Sequence, residues 1–167
     1  AACITALTLS GLPTRRFAFE AFLPMEKKER REILSELVNE TRTIIIYEAP
    51  HRLLRTLTEL ESALGGMRKI AVCKELTKRH ETVYRDTISG ALGYYTANEP
   101  KGEYVLVIEG RSPKELLEEK RAAWDDMSIE EHFNMYVSRG MDKKDAMKLV
   151  AKDRGASKRD IYNALLD

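Results

Sequence analysis

The stretch Thr43-Ile44-Ile45-Ile46-Tyr47-Glu48-Ala49-Pro50-His51-Arg52-Leu53-Leu54 decides the fold. Its first half, Thr43-Ile44-Ile45-Ile46, is an apolar, β-branched run that reads as a buried strand. Its second half leads into Leu53, Leu54, Leu57, Leu60 and Leu64, which recur at helical spacing. Glu48, His51 and Arg52 therefore sit where a buried strand turns into a helix. That junction is where open α/β sheets place their ligand sites. The positive end of a helix dipole disfavours cations, so His51 and Arg52 call for something negative nearby. An internal Glu48–Arg52 salt bridge that closes the turn is one reading, and a ligand is the other.

Outward from this stretch the elements alternate. Phe17, Phe19, Ala21 and Leu23 alternate with other residues and read as a strand that ends at Pro24. Glu26 to Val38 reads as a charged helix with Ile33, Leu34 and Leu37 on one face. Thr43 to Tyr47 is the central strand, and Arg52 to Leu64 a helix closed by Gly65-Gly66. Lys69 to Lys74 is a second buried strand, Glu81 to Thr87 an edge strand, and Ile88 to Ala97 a short helix. After the break at Pro100-Lys101-Gly102, Tyr104 to Ile108 is the last buried strand. This is an α/β architecture: five strands in one sheet with flanking helices. The short link between Glu75 and Glu81 calls for antiparallel pairing, so the sheet is expected to be mixed.

Composition shifts at Pro113. Residues 113–126 read as a solvated connector whose helix, Lys114 to Ala123, has Leu116 and Leu117 as its only large aliphatics. Residues 127–167 read as a trihelical, helix-turn-helix-like tail. Ser128 and Glu131 have capping-box spacing, Gly140 and Gly155 close helices, and Asp142 and Ser157 cap the next ones. Residues 14–112 are then the α/β domain. Residues 1–13 read as a helix closed at Gly11-Leu12-Pro13. The chain opens inside that helix at Ala1, without a methionine or a cap, as expected of a fragment whose preceding domain has been removed.

The chain has 167 residues and a formal net charge of +1, so any nucleic-acid contact must come from a local patch. Cys3 and Cys73 lie in apolar surroundings and suit a reduced, cytoplasmic protein better than a disulfide framework. No apolar run approaches the ~18 residues of a membrane span, and no signal peptide is visible. His51, His80 and His132 stand apart from any second ligand at metal spacing, so no metal is expected. There is no P-loop, no G-x-G-x-x-G and no G-x-S-x-G.

Four segments can carry chemistry. Beside the Tyr47–Arg52 junction, Lys74-Glu75-Leu76-Thr77-Lys78-Arg79-His80-Glu81 puts a polar cluster at the end of a buried strand. The alternative is a solvated loop with local ion pairs. Lys101-Gly102-Glu103 heads the last strand, and Gly102 permits close backbone approach or positive φ; a simple turn is the alternative. From Arg139 to Arg159 the tail holds eight basic residues against Asp142, Asp145 and Asp153, a net of +5. It is either a wet helical face or a phosphate-binding one.

These segments together resemble one family. Ile4-Thr5-Ala6-Leu7, Ser10-Gly11-Leu12-Pro13, Phe19-Glu20-Ala21-Phe22-Leu23-Pro24, Tyr47 to Leu53, Lys74-Glu75-Leu76-Thr77-Lys78, Glu81, and Gly102 to Gly110 are similar, in order and spacing, to the C-terminal half of the type I ribosomal RNA small-subunit methyltransferases. Those enzymes belong to the tetrapyrrole (corrin/porphyrin) methylase superfamily. The resemblance implies methyl transfer from S-adenosyl-L-methionine to a cytidine ribose 2′-hydroxyl of 16S rRNA. It implies 16S rRNA or the small ribosomal subunit as partner, and a homodimer. It places Tyr47, Glu48, Leu76 and Thr77 beside the cofactor, with Gly102 and Glu103 where the last strand enters the same cleft. The resemblance also implies that Ala1 and Ala2 are what remains of a preceding cofactor motif. With the glycine-rich loops of the other domain absent, the chain holds half a site and is expected to be inactive alone.

Aligning a ribose hydroxyl behind a methyl donor is a large part of such a reaction, and a nearby base can take the proton. Glu48, His51, Arg52 and Glu75 are the catalytic candidates. Glu103 is a further possible base, Lys78 and Arg79 further phosphate contacts, and positioning without a base stays open. Two rivals remain: a methylase of the same superfamily acting on a tetrapyrrole or other small molecule, and a non-catalytic RNA-binding module. The basic tail argues against the first, and the charged strand ends argue against the second. Replacing Glu48 or Arg52 by alanine is expected to cost activity more than folding.

Overall fold

The computed structural model describes residues 2–166. They fall into two compact units, the first ending at Arg111 and the second beginning at Ser112. The first contains α1 (Ala2–Ser10), β1 (Phe17–Phe22), α2 (Lys27–Leu37), β2 (Thr43–Glu48), α3 (Leu53–Leu64), β3 (Lys69–Lys74), β4 (Thr82–Thr87), α4 (Ile88–Ala97) and β5 (Tyr104–Ile108). The expected mixed, five-stranded sheet is present, in the order β1-β2-β5-β3-β4. β1 and β2 are parallel, and the other three pairs are antiparallel.

Period-two alternation divides the core between the two faces of the sheet. Ile44, Ile46, Ile70, Val72, Leu106 and Ile108 face α2, α3 and α4, meeting Leu34, Leu57, Leu60 and Ile88. Ile45, Ala71, Cys73, Val105 and Val107 face α1, meeting Ala6 and Leu7. Each large aliphatic fully buried in this way contributes about 1.5–3 kcal/mol. β1 is an edge strand: its Ala18 is buried while Phe17, Phe19 and Phe22 stay exposed.

Several boundaries shift by a residue or two from the sequence reading, and two of the shifts have consequences for the site. β2 runs one residue further and ends on Glu48. Arg52 does not begin the α-helix. Pro50–Arg52 form a 3-10 turn, and α3 starts at Leu53. Pro50 supplies the fixed φ of a helical first turn and lacks the N–H that would go unsatisfied there, so a tight turn precedes the regular helix.

The second unit holds α5 (Pro113–Ala122), α6 (Ile129–Ser138), α7 (Lys143–Arg154) and α8 (Lys158–Ala164). Ser128 and Glu131 form the expected capping box, and Ser157 and Asp160 form another. Asp142 caps α7, and Gly155, at φ +63°, ends it. Val150, Ala151 and Ile161 are the buried centre of this unit. The connector helix α5 has no buried residue, yet it belongs to the same unit as the three helices that follow.

Candidate active site at one end of the sheet

Strand directions bring the predicted residues together. β5 lies between β2 and β3 and runs opposite to both, so the ends of β2 and β3 meet the start of β5. Tyr104 is the partner of both Glu48 and Lys74 in the ladder. Residues 47–52, 74–78 and 102–103 therefore occupy one edge of the sheet, as the ligand-site rule for open α/β sheets anticipates.

Glu48 shares its parity with Ile44 and Ile46, so its side chain points to the α2/α3 face and is only 1% exposed. A buried carboxylate needs partners, and this one has three. It accepts from the Ala49 N–H at 2.8 Å and from the Thr56 hydroxyl at 2.5 Å, and it pairs with Arg52 Nε at 3.1 Å. Thr56 in turn accepts from Arg30 at 2.7 Å. Arg30 itself is buried and ion-paired with Glu59 at 2.5 Å. The internal Glu48–Arg52 salt bridge thus exists, as part of a longer chain that sequence reading missed at Arg30 and Thr56. Parity with Ile44 and Ile46 is the signal that could have shown Glu48 to be buried.

A second constellation joins β3 to β5. Glu75 N–H donates to the Glu103 carbonyl at 2.9 Å, and Glu103 N–H donates to Glu75 Oε1 at 2.7 Å. Lys78 Nζ reaches Glu103 Oε2 at 2.8 Å and Glu75 Oε1 at 3.4 Å. The Glu103 N–H, and after it Lys78, hold the Glu75 carboxyl below the usual range; Glu103 and Glu75 raise Lys78. The backbone here is strained. Glu75 and Thr77 have φ of 51° and 63°, and Gly102 has 83°. Non-glycine residues in this region cost about 1–2 kcal/mol and cluster at ligand clamps. Gly102 meets the requirement read from its sequence: a Cβ there would collide with the Glu75 carboxyl.

On the other face, Tyr47 accepts from the Cys3 N–H at 3.1 Å, which ties α1 to the end of β2. Phe19 and Phe22 pack edge-on to Tyr47 with ring centroids at 5.0 and 5.7 Å. The Arg52 guanidinium lies 5.8 Å from the Phe22 ring, a cation–π distance. His51 is exposed, and among the described residues its side chain makes no hydrogen bond or ion pair. Leu76 is half-buried against the α1-side core, and Thr77 N–H donates to Glu81 Oε2 at 2.6 Å. Ala2 is exposed at the start of α1, while Ala1 lies outside the described residues.

In the second unit, part of the basic run has structural work. Arg154 donates to His132 Nδ1 at 3.1 Å and to the Met127 and Ser128 carbonyls. Lys148 pairs with Asp145 at 2.9 Å. Arg139, Lys143, Lys144, Lys152, Lys158 and Arg159 remain exposed. His132, which looked isolated in sequence, is fully buried. It stacks on Trp124 at 3.9 Å, with Nε2 3.2 Å from Asp153. No group of three or more His, Cys, Asp or Glu suited to a metal occurs among the described residues, and none of their helices is long and apolar enough to cross a membrane.

Residues 1–91 match the sequence profile of the tetrapyrrole (corrin/porphyrin) methylases. The chain belongs to that family. Proteins named ribosomal RNA small subunit methyltransferase I are similar to this tetrapyrrole methylase chain along nearly all of it. The one from Synechocystis sp. is 40% identical over 99% of the chain and 58% of its own length. Those from Halalkalibacterium halodurans and Bacillus subtilis are 43% and 42% identical over 97% and 98% of the chain, and over 55% of their own lengths. The chain thus spans a little over half the length of these relatives. Two solved tetrapyrrole methylase structures share the fold. Cobalt precorrin-4 methyltransferase superposes at TM-score 0.52 with 13% identity, covering 65% of this chain and 48% of its own. The methyltransferase CobJ superposes at 0.51 with 14% identity, over 64% and 46%.

Proposed function

We propose that this chain supplies one half of the active site of an S-adenosylmethionine-dependent methyltransferase acting on a ribose 2′-hydroxyl of 16S rRNA in the cytoplasm. The observation that carries the reading is the convergence of residues 47–52, 75–78 and 102–103 at one sheet edge, in a chain whose relatives at 40–43% identity are named small-subunit rRNA methyltransferases.

The residues present fit one side of such a cofactor. Leu76 offers an apolar shelf. Gly102, without a side chain and at φ +83°, lets the Glu75 carboxyl pack against the backbone where the last strand begins. The Glu103 side chain, 81% exposed, offers a carboxylate to sugar hydroxyls. Tyr47 and Thr77 border the same edge. When bound, the cofactor contributes an electrophilic sulfonium methyl. The work of this chain is to orient and to move a proton. Glu48, buried and engaged by Ala49, Arg52 and Thr56, fixes the 49–52 turn and is not the base. Glu75, held at low pKa by its donors, is a weak base and a brace for Glu103. His51 is the candidate with a free ring and takes the hydroxyl proton. Arg52 braces the turn through Glu48. The exposed lysines and arginines of the second unit contribute sequence-independent phosphate contacts.

The test is transfer of labelled methyl from S-adenosylmethionine to small-subunit RNA by the natural full-length gene product. His51→Ala is expected to lower kcat by roughly 10²–10⁴-fold with little change in KM. Wild-type kcat in that variant would remove His51 from the mechanism. Methylation of a small molecule in place of RNA would overturn the substrate class.

A further inference from the structure

We infer that the groove between α2 and α3 is a second RNA-backbone site, distinct from the basic tail and resting on the rRNA reading above. The groove is open, with a volume of about 780 Å³. Its walls are one face of each helix. On α2 they follow i, i+4, i+8 spacing through Lys27, Arg31 and Ser35, and on α3 they run through Arg55, Thr58 and Ser62.

The charge is one-sided. Lys27, Arg30, Arg31 and Arg55 line the groove against a single carboxylate, Glu59. Arg30 is buried and spends its guanidinium on Glu59, Thr56 and the Pro24 carbonyl. Arg55 shares Glu59 at 3.0 Å, so one carboxylate serves two guanidiniums. Lys27 and Arg31 are exposed, and among the described residues no carboxylate forms an ion pair with either. The nearby Glu26 turns its carboxylate to the Lys28 and Glu29 amides as the cap of α2 and attracts Arg31 only through space, without a direct ion pair. In a chain of net charge +1 this is a local cationic surplus.

Topology fixes where that surplus lies. β1 and β2 are parallel, so α2 and α3, each following its strand, both begin at the sheet edge that carries the candidate active site. Lys27 and Arg55 sit in the first turns of their helices and Arg31 at the start of the second turn of α2. The cations therefore gather at the active-site end of the groove, and the hydroxyls of Ser35 and Ser62 lie toward the far end. The buried series Arg30–Thr56–Glu48–Arg52 continues directly from the groove floor to the 49–52 turn. Residues at i and i+4 are about 5–6 Å apart, and packed helix axes about 8–10 Å apart. The three exposed cations thus form a spread array suited to successive phosphates along a strand, where a free phosphate would need donors converging on one point. Contacts of this kind set affinity and register and carry no sequence information.

The experiment compares Lys27→Ala/Arg31→Ala/Arg55→Ala with wild type in the natural full-length gene product. Binding of small-subunit RNA is measured across a salt series, with a thermal melt to verify folding. Arg15→Ala/Lys69→Ala, at exposed cations outside the groove and away from the candidate active site, serves as the control. Each lost phosphate contact lowers the log–log salt slope by roughly 0.7–0.9, so the triple variant should lose roughly 2–3 units of slope. It should also bind at least tenfold more weakly at low salt, while the control keeps wild-type values. Folded triple variant with wild-type affinity and slope, in a protein that binds and methylates the RNA, would overturn the groove and leave the enzymatic reading intact. If the wild type neither binds nor methylates small-subunit RNA, the enzymatic reading falls and the groove falls with it. If the three substitutions weaken binding of polyglutamate but not of RNA, the groove is an acidic-protein site and the inference is wrong.

Discussion

Replacing Glu48 with alanine tests the buried network at its centre. The carboxylate is 1% exposed and serves the Ala49 N–H, the Thr56 hydroxyl and Arg52. Removing one member of a buried ion pair costs about 3–5 kcal/mol, because the partner is left desolvated. The Arg52 side chain is 19% exposed and can turn to water, which places the expected loss near the lower end, about 3 kcal/mol. For a domain of this size that corresponds to a fall in melting temperature on the order of 10–20 °C. Glutamine is expected to restore most of the loss, leaving about 1 kcal/mol. Its carbonyl still accepts from Ala49, and its amide can donate to Thr56. Amide hydrogen exchange along β2 and α3, together with urea unfolding, reads the effect in the first unit. An alanine variant within about 0.5 kcal/mol of wild type, or a glutamine variant as unstable as alanine, would refute the reasoning. The sequence alone expects activity to suffer more than folding at this position. A buried carboxylate with three partners assigns the larger cost to the fold.

Gly102→Ala should destabilise by at least ~1–2 kcal/mol, because the added carbon combines positive φ with a collision at Glu75; an unchanged melting temperature would contradict the account of that turn. Burial, and after it Arg154, lowers the His132 pKa, and Asp153 acts against them. A group with a depressed folded pKa and a cationic acid form contributes its stability above its unfolded value of about 6.5 and loses it as pH falls through the folded pKa. The second unit should therefore melt progressively earlier below about pH 6.5, and His132→Gln should flatten that dependence in calorimetric scans; identical pH profiles would refute it. The 167-residue chain by itself should bind S-adenosylmethionine far more weakly than the natural full-length gene product, and micromolar affinity by calorimetry would sink the half-site reading.

Much of this fold was legible because its signals are local. Ile44 to Ile46, Ile70 to Cys73 and Tyr104 to Ile108 announce buried strands, and Ser128, Asp142, Ser157 and the glycines announce helix ends. What stayed hidden depends on tertiary partners. Arg30 and His132 are buried in spite of their types, and no hydrophobic period reports a charge that is buried by pairing. Positive φ at Ala21 accompanies a strand bulge, at Glu75 the bonds to Glu103, and at Thr77 the bond to Glu81, so the residue types give no warning. Local pattern showed the Tyr47–Arg52, Glu75–Thr77 and Gly102–Glu103 segments one at a time, and only the family resemblance put them in one cleft. Their meeting at one sheet edge follows from the place of β5, which local pattern does not encode.

That place has a consequence for how the chain reaches its structure. β5 is the last strand of the sheet to be synthesised and is the one laid in its middle, between β2 and β3. Until Ile108 has emerged, the β1–β2 pair and the β3–β4 pair have no ladder between them, and each shows an open apolar edge of the kind that recruits other chains. At roughly 5–20 residues per second the exposure of β2 lasts several seconds. Closure then joins Ile44 to Ile108 and Ile70 to Ile108, contacts distant enough in sequence to be slow to form. A nascent chain stalled before Tyr104 would hold two unfinished half-sheets, which makes the interval before β5 the one in which a chaperone has most to protect.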